Sequence, residues 1–453
     1  MTVFTPNCTL PTHGSTFVSA PPVRGTLTIL WSCLSTLLLC VWSALHLNVP
    51  VESKPTTQLQ RFRKWVYMTK IKLWGMLFML FVPEFVSFRA LAHLMLARGR
   101  KKEALPFIKN DGVEWSMSHA FLADMGGFRI DFSKMVDALV EDHSQYSDEW
   151  QQHFAQYYTD LSNRIGHIDW APDPHNLCLK HAAMKRPGLK FGASGGASRL
   201  QGNLWAVSGS QLLLARGFGI ITRLPDLTQD MIQDKNKGDA LVKFLAIIQL
   251  TWLILQVVVR LAHALPVSQL EVVVMAYCLC TFITYVCYWH RPQDVRTSTK
   301  VLATRYPTEN EFVELARMGD TTGYGKGYWI PNLDVFSVLV WNWWTIVGLL
   351  AITIAFGAVQ FISWQSQFAS NPERIMWRVS VIITITAPIF LVLIGAAPFW
   401  DLPLWIDDTI WWSCAVLYAL ARLFVMVECF RSLSALPPDT YKTTWSNNFP
   451  HWG

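Results

Sequence analysis

Charged residues are scarce in this chain, at 15% of 453 positions, while hydrophobic residues reach 52% and tryptophan occurs 22 times. An ordinary water-soluble protein of this length does not carry so much apolar surface. Cysteine gives no framework either. Of the nine, Cys33, Cys40, Cys278, Cys280, Cys287 and Cys414 fall inside apolar runs, Cys429 ends one, and only Cys8 and Cys178 stand apart. No CxxC pair exists for zinc or redox chemistry, so buried thiols are expected. No basic stripe with stacking aromatics lies away from the apolar blocks. The net charge of +6 is therefore assigned to membrane topology and contact with anionic lipid, not to nucleic acid.

Signatures of several lipid-phase enzymes are missing as well. Asp407-Asp408 stands alone, so there is no aspartate-rich pair of the prenyl-diphosphate kind. There are no histidine boxes, no haem-thiolate cysteine motif and no GxSxG elbow. No cofactor is expected. No internal repeat relates the two halves, which counts against a repeat-built transporter.

Long apolar blocks are what the chain does have. Roughly 20 residues cover a hydrocarbon core about 30 Å thick, and six blocks meet that requirement, at 27–47, 242–264, 270–289, 335–362, 376–399 and 409–429. The expected fold class is all-α, a polytopic membrane protein of about six spanning helices plus one re-entrant or seventh helix, with an inserted cytosolic helical domain. Its expected divisions are a lumenal or extracellular tail (1–24), the first span with a basic loop and re-entrant segment (25–102), a helical soluble domain (103–240), a five-span bundle with a loop at 291–334 (241–429), and a C-terminal tail (430–453).

Residues 1–24 are rich in Thr, Ser and Pro and have no basic start, so they do not read as a cleavable signal peptide. Asn7-Cys8-Thr9 is the one glycosylation sequon. It is usable if the N-terminus is lumenal or extracellular, which the basic loop after the first block also predicts. In 103–240, amphipathic helices are expected near 114–125, 132–141, 149–165 and 204–216, with a loop-like tract at 166–203 and no convincing strand alternation.

Residues 73–96 are long enough to span, but Pro83 removes a backbone donor in the middle. Glu84, Arg89 and His93 put ionisable groups at membrane depth, where each is costly unless paired or wet. Both flanks are basic, with Lys54, Arg61, Arg63, Lys64, Lys70 and Lys72 before and Arg98, Arg100, Lys101 and Lys102 after. Both ends thus ask for the cytoplasmic side, and a hairpin broken at Pro83-Glu84 fits better than a crossing. Glu84, Arg89 and His93 are the candidate catalytic residues. The bland alternative is an interfacial helix whose Arg89 and His93 snorkel to headgroups. Arg260, Glu271 and Glu428 lie near block ends and read as packing pairs. Arg422 lies deeper and is harder to assign to packing.

His175, Cys178 and His181 are metal-ligand residue types, but on a helix their spacing puts the outer pair on different faces, so a surface loop is expected and no metal. Thr321-Thr322-Gly323-Tyr324-Gly325 looks like a potassium-channel filter, yet the acidic stretch before it and Lys326 after it argue for a glycine-rich turn.

Arg24-Gly25-Thr26 followed by Ile29-Leu30-Trp31-Ser32-Cys33, with Trp42, His46, Asn48 and Pro50 behind, resembles the opening of a large group of fungal polytopic membrane proteins. The similarity continues at Pro83-Glu84, at Asp234-Lys235-x-Lys237-Gly238-Asp239, at Leu436-Pro437 and from Trp445 through Pro450-His451. Thr28 departs from the pattern, which has an acidic residue there. The resemblance implies a fungal, multi-pass protein of no settled activity, in a group sometimes found near secondary-metabolite genes.

Three functions are carried forward. The first is binding, and perhaps transformation, of a hydrophobic small molecule, with Glu84 as acid or base and Arg89 and His93 as anchors or proton relays. The second is a transporter or channel with the broken helix as its site. The third is a sensor or scaffold acting through the helical domain. Membrane lipids are the expected partners, in an endomembrane or the plasma membrane.

Overall fold

The computed structural model describes residues 17–18, 23–50, 57–135, 199–236, 240–318, 343–396 and 404–444. Among these, the helices are α1 (Thr26–Ala44), α2 (Gln58–Phe81), α3 (Pro83–Asp111), α4 (Met117–Asp124), α5 (Gly209–Gly217), α6 (Gln229–Lys235), α7 (Ala240–Ala262), α8 (Gln269–Cys287), α9 (Glu309–Met318), α10 (Trp343–Gln360), α11 (Asn371–Ala396) and α12 (Leu404–Arg431). Six are long and apolar enough to cross a membrane: α1, α7, α8, α10 with its continuation to Gln365, α11, and α12 with its continuation to Ala435. The chain is an all-α polytopic protein, as expected, and where the limits of the apolar blocks fall among the described residues its spans begin and end close to them. α11 starts earlier, at Asn371, because Ser370 caps it by donating to Glu373 at 2.6 Å.

The contacts at the helix ends fix which ends lie together. Past the C-terminus of α1, Val49 N–H donates to Met125 O at 3.0 Å, and Arg129 reaches Pro50 O at 3.2 Å. At the other end, Arg24 N–H donates to Tyr441 O at 3.1 Å, and Arg24 forms a buried ion pair with Glu271. Arg260 donates to the carbonyls of Thr440 at 2.8 Å and Lys442 at 3.0 Å, Gln269 donates to Gln367 O at 2.9 Å, and Glu373 pairs with Arg431. Every one of these contacts agrees with six alternating crossings. Val49, just before α2, and Met125, soon after α3, touch one another. If the six helices span, the α2–α3 pair therefore returns to the side it left.

On that side a core forms from pieces far apart in the chain. It gathers Val49, Ala104, Trp115, Phe128, Trp205, Leu212, Val295, Val301 and Phe312 among others. Four short strands, β1 (Phe128–Asp131), β2 (Leu200–Gln201), β3 (Leu204–Val207) and β4 (Thr299–Leu302), pair in the order β2-β3-β1-β4. β1 is antiparallel to β3 and parallel to β4.

The sheet is a finding the sequence did not predict. β1 does alternate, as Phe128-Arg129-Ile130-Asp131, but over only four residues, while β3 is apolar and buried along its whole length, so the polar alternation that marks a strand with one wet face has no cause to appear there. For the same reason the helix expected at 204–216 is β3 followed by α5, which starts at a capping box on Ser208 and Gln211. The basic stretch expected as loop before residue 73 is helical from Gln58, capped by Thr57 and Gln60. The stretch expected as a loop at 291–334 supplies β4 and α9. Asn7, His175, Cys178, His181, Thr321-Thr322-Gly323-Tyr324-Gly325 and the helix expected at 149–165 lie outside the described residues, as does most of that expected at 132–141.

Single cysteines at the exposed positions Lys109, Asp226 and Arg317, in a cysteine-free background, are expected to react with a membrane-impermeant maleimide from one face. Asn371→Cys should react only from the other. Gln58→Cys, at the start of the hairpin, should react from the same face as Lys109→Cys, and labelling of these two from opposite faces would show that α2 and α3 cross.

Candidate functional site

Pro83 has no N–H and sits at the first position of α3, where none is needed. α2 stops at Phe81, the two helices are bent by 108°, and the carbonyls of Leu80 and Phe81 lose their helical partners. In apolar surroundings an unpaired carbonyl is costly. Partners come from two other helices: the Tyr277 hydroxyl of α8 donates to Leu80 O, and from α12 Arg422 Nε lies 3.2 Å and the Tyr418 hydroxyl 3.1 Å from Phe81 O.

Glu84 lies in the first turn of α3, where the helix dipole favours a negative charge. Both its oxygens accept from Arg422 Nη2, at 2.9 and 2.7 Å, and Oε1 is also within reach of the Tyr418 hydroxyl. That hydroxyl has one proton, to serve either Glu84 or Phe81 O, while its oxygen accepts from Arg422 at 3.0 Å. The pair is almost sealed, with side-chain exposures of 2% and 1%. The guanidinium stacks on Phe356, 4.3 Å from the ring centroid, and its Nη1 is buried without a partner among the described residues. Tyr277 and Tyr418 lie near the middles of their helices, so the break is at mid-bundle depth. Ser87, one turn on, ties α3 to α8 by donating to Cys280 O at 2.8 Å.

A cavity of about 400 Å³ opens beside the break. Its walls are apolar side chains of α2, α3, α10, α11 and α12, including Phe81, Phe85, Leu349, Pro388 and Trp411, and Glu84 and Tyr418 stand at its edge.

Arg89 and His93 do not line this cavity. They lie further along α3, toward the domain side. His93 Nδ1 is 2.9 Å from the Tyr288 hydroxyl and accepts from Arg291, whose Nη2 donates to Asn48 Oδ1 at 2.8 Å. Arg89 is buried and acts on both His93 and Arg291 through its charge. The three candidates thus divide: Glu84 joins α12, while His93 joins Tyr288 and Arg291 past the end of α8, with Arg89 one turn before His93 on α3. Arg260, Glu271 and Glu428 hold helix ends and the tail, the last through Arg431 at 3.2 Å. The partners Tyr418, Tyr288, Arg291 and Asn48 were not singled out as site residues. Tyr418 had a signal, since it lies four residues before Arg422 on the same helical face.

Residues 2–144 and 211–321 match the Family of unknown function (DUF8562). The chain belongs to that family. No curated protein and no solved structure matches it. The family segments contain Asn48, Glu84, Arg89, His93, Tyr288 and Arg291, while Tyr418 and Arg422 lie beyond them.

Asp124, at the end of α4, accepts from Gly209 N–H at 3.2 Å, and burial pushes its carboxyl up to about 6 against the pull of Arg100 and Arg291. An unfolded aspartate titrates near 4, so the folded state holds the extra proton between about 4 and 6. Stability from this group is present below that window and is lost as pH rises through it. Asp124→Asn keeps the acceptor oxygen and removes the titration. Its melting temperature relative to wild type is expected to climb between pH 5 and pH 7.5, and a constant difference would contradict the assignment.

Arg422→Met strands the Glu84 carboxylate, and the expected loss is about 3–5 kcal/mol. Glu84→Leu in the same chain should recover most of it. A double-mutant cycle on thermal stability reads this, and additive losses would mean that the two groups do not pair.

Proposed function

We propose that the protein holds a hydrophobic small molecule, a lipid or secondary metabolite, in the cavity beside the broken helix, with Glu84 and Tyr418 meeting its polar group. One observation carries the reading: a cavity with apolar walls at mid-bundle depth has Glu84 and Tyr418 among its lining residues, their polar groups held just behind the wall by Arg422. Lipid-phase ligands suit a pocket of that kind, in which a few polar groups fix orientation. Glu84 is held on both oxygens by Arg422, which makes it an orienting acceptor. The Tyr418 hydroxyl, shared between two acceptors, is the proton donor closest to hand should the ligand be transformed.

The transporter reading takes its support from the discontinuous helix. Against it, the carbonyls of Leu80 and Phe81 already have side-chain partners and are not open to an ion. The basic residues of α2 and α3, with Arg296 and Lys300, favour a cytosolic sheet-bearing side, which would leave the Asn7 sequon lumenal or extracellular. The likeness of the opening motif to fungal proteins adds a fungal source and a secondary metabolite as ligand.

Ala387→Phe and Ala415→Phe fill the cavity from α11 and α12. Mass spectrometry of organic extracts is expected to show a copurified lipid-like molecule in the wild type, severalfold depleted in these variants and in Glu84→Gln, with no ion flux in proteoliposomes. Flux that Glu84→Gln abolishes would favour the transporter. Neither ligand nor flux would leave the domain as the working part.

A further inference from the structure

The second group of ionisable residues on α3 is a charge problem of its own. Arg291 follows α8 and is 3% exposed, and Arg89 on α3 is 8% exposed. Among the described residues neither has a carboxylate within ion-pairing distance, and Arg89 makes no hydrogen bond. Arg291 is held rigidly: its face lies 4.6 Å from the Tyr288 ring centroid, Nη2 is fixed by Asn48, and Nη1 donates to His93. Its Nε is buried without a partner. Because a guanidinium has no acceptor, His93 Nδ1 is the acceptor in that contact, so the ring is neutral with its proton on Nε2. The cluster thus carries the two arginine charges, with no carboxylate among the described residues close enough to pair with them. Asp124 acts on Arg291 only at longer range.

Burying an unpaired guanidinium is costly, and a fold does not hold two within electrostatic reach of each other, one with its fork already oriented, without some return. Location narrows what that return is. α1 ends at Ala44 and α8 at Cys287, and Asn48, Tyr288 and Arg291 follow just past those ends, where headgroups would lie if these helices span. A small apolar cluster of Ala90, Ala97, Ala120, Phe121, Cys287 and Tyr288 joins α3, α4 and α8 at the same level. The cations therefore sit in the joint between the spans and the sheet-bearing part. Planar, pre-oriented guanidinium groups match the geometry of phosphate oxygens, and basic pockets between spans on the cytoplasmic side are suited to phosphorylated headgroups.

We propose that Arg89 and Arg291, positioned by Asn48, Tyr288 and His93, form an anion-binding site that takes a phosphate group, either of a lipid headgroup or of a free phosphate. The site does not rest on the cavity reading. Asn48 and His93 are positioning residues, and the two guanidinium groups bind.

The test uses the full-length protein and follows thermal unfolding. One arm adds millimolar inorganic phosphate in detergent, against chloride at matched ionic strength. The other compares nanodiscs of phosphatidylcholine alone with nanodiscs containing phosphatidic acid. A rise of several degrees in the first arm identifies free phosphate, and a rise confined to the second identifies a headgroup. Either rise should disappear in Arg89→Gln and survive in Arg317→Gln, an exposed control. Arg89 makes no hydrogen bond among the described residues, so Arg89→Gln is expected to fold and to be at least as stable as wild type when no phosphate compound is present. No rise in either arm overturns the site, as does a rise that chloride reproduces or that Arg89→Gln retains. If Arg89→Gln does not fold, the guanidinium is already satisfied inside the protein, and the proposal fails on that ground too.

Discussion

A helix interrupted in apolar surroundings leaves carbonyl oxygens that must find donors, and the arrangement at the centre of this protein follows from that need. Pro83 makes the interruption, and Tyr277, Tyr418 and Arg422 answer it from two other helices. Bringing an arginine there creates a second demand, because its charge also needs a partner, and Glu84 supplies one from the first turn after the break. Neither feature is stable alone: the arginine without the carboxylate is a buried charge, and the carbonyls without the arginine and tyrosines are orphaned. The break is therefore a fixed joint among α2, α3, α8 and α12.

The same economy governs the two ends of the bundle. One end is tied by Arg24, Glu271 and Arg260, whose hydrogen bonds capture the carbonyls of the C-terminal tail. The other end is joined through Ala90, Ala97, Phe121 and Tyr288. Polar contacts at both ends and in the middle set how deep the α2–α3 hairpin reaches, so the cavity at its tip has a defined floor and walls.

Much of this could be read in the chain, and the exceptions have physical causes. Spans were visible because a helix facing lipid has no reason to carry charge, and the break because proline cannot continue a helix. Glu84 and Arg422 each stood out, but nothing local says that they meet, since they are far apart in sequence and only the packing of α12 against α3 pairs them. β3 was invisible because burial on both faces erases alternation, and β1 and β4 because four residues are too few to set a pattern. Arg291 stands at the head of the stretch expected as a loop, and the features that single it out, its burial and the lack of a carboxylate partner among the described residues, exist only in three dimensions.

The core outside the bundle draws on Val49, on Ala104 to Phe132, on Leu200 to Ile232 and on Val295 to Ala316. During synthesis the last of these pieces emerges only after α7 and α8 have been made. The sheet-bearing part therefore cannot close ahead of membrane insertion, and its completion, with β4 docking beside β1, records that the α7–α8 hairpin has gone in and come back out. No contiguous excised fragment would contain that core without also carrying α7 and α8.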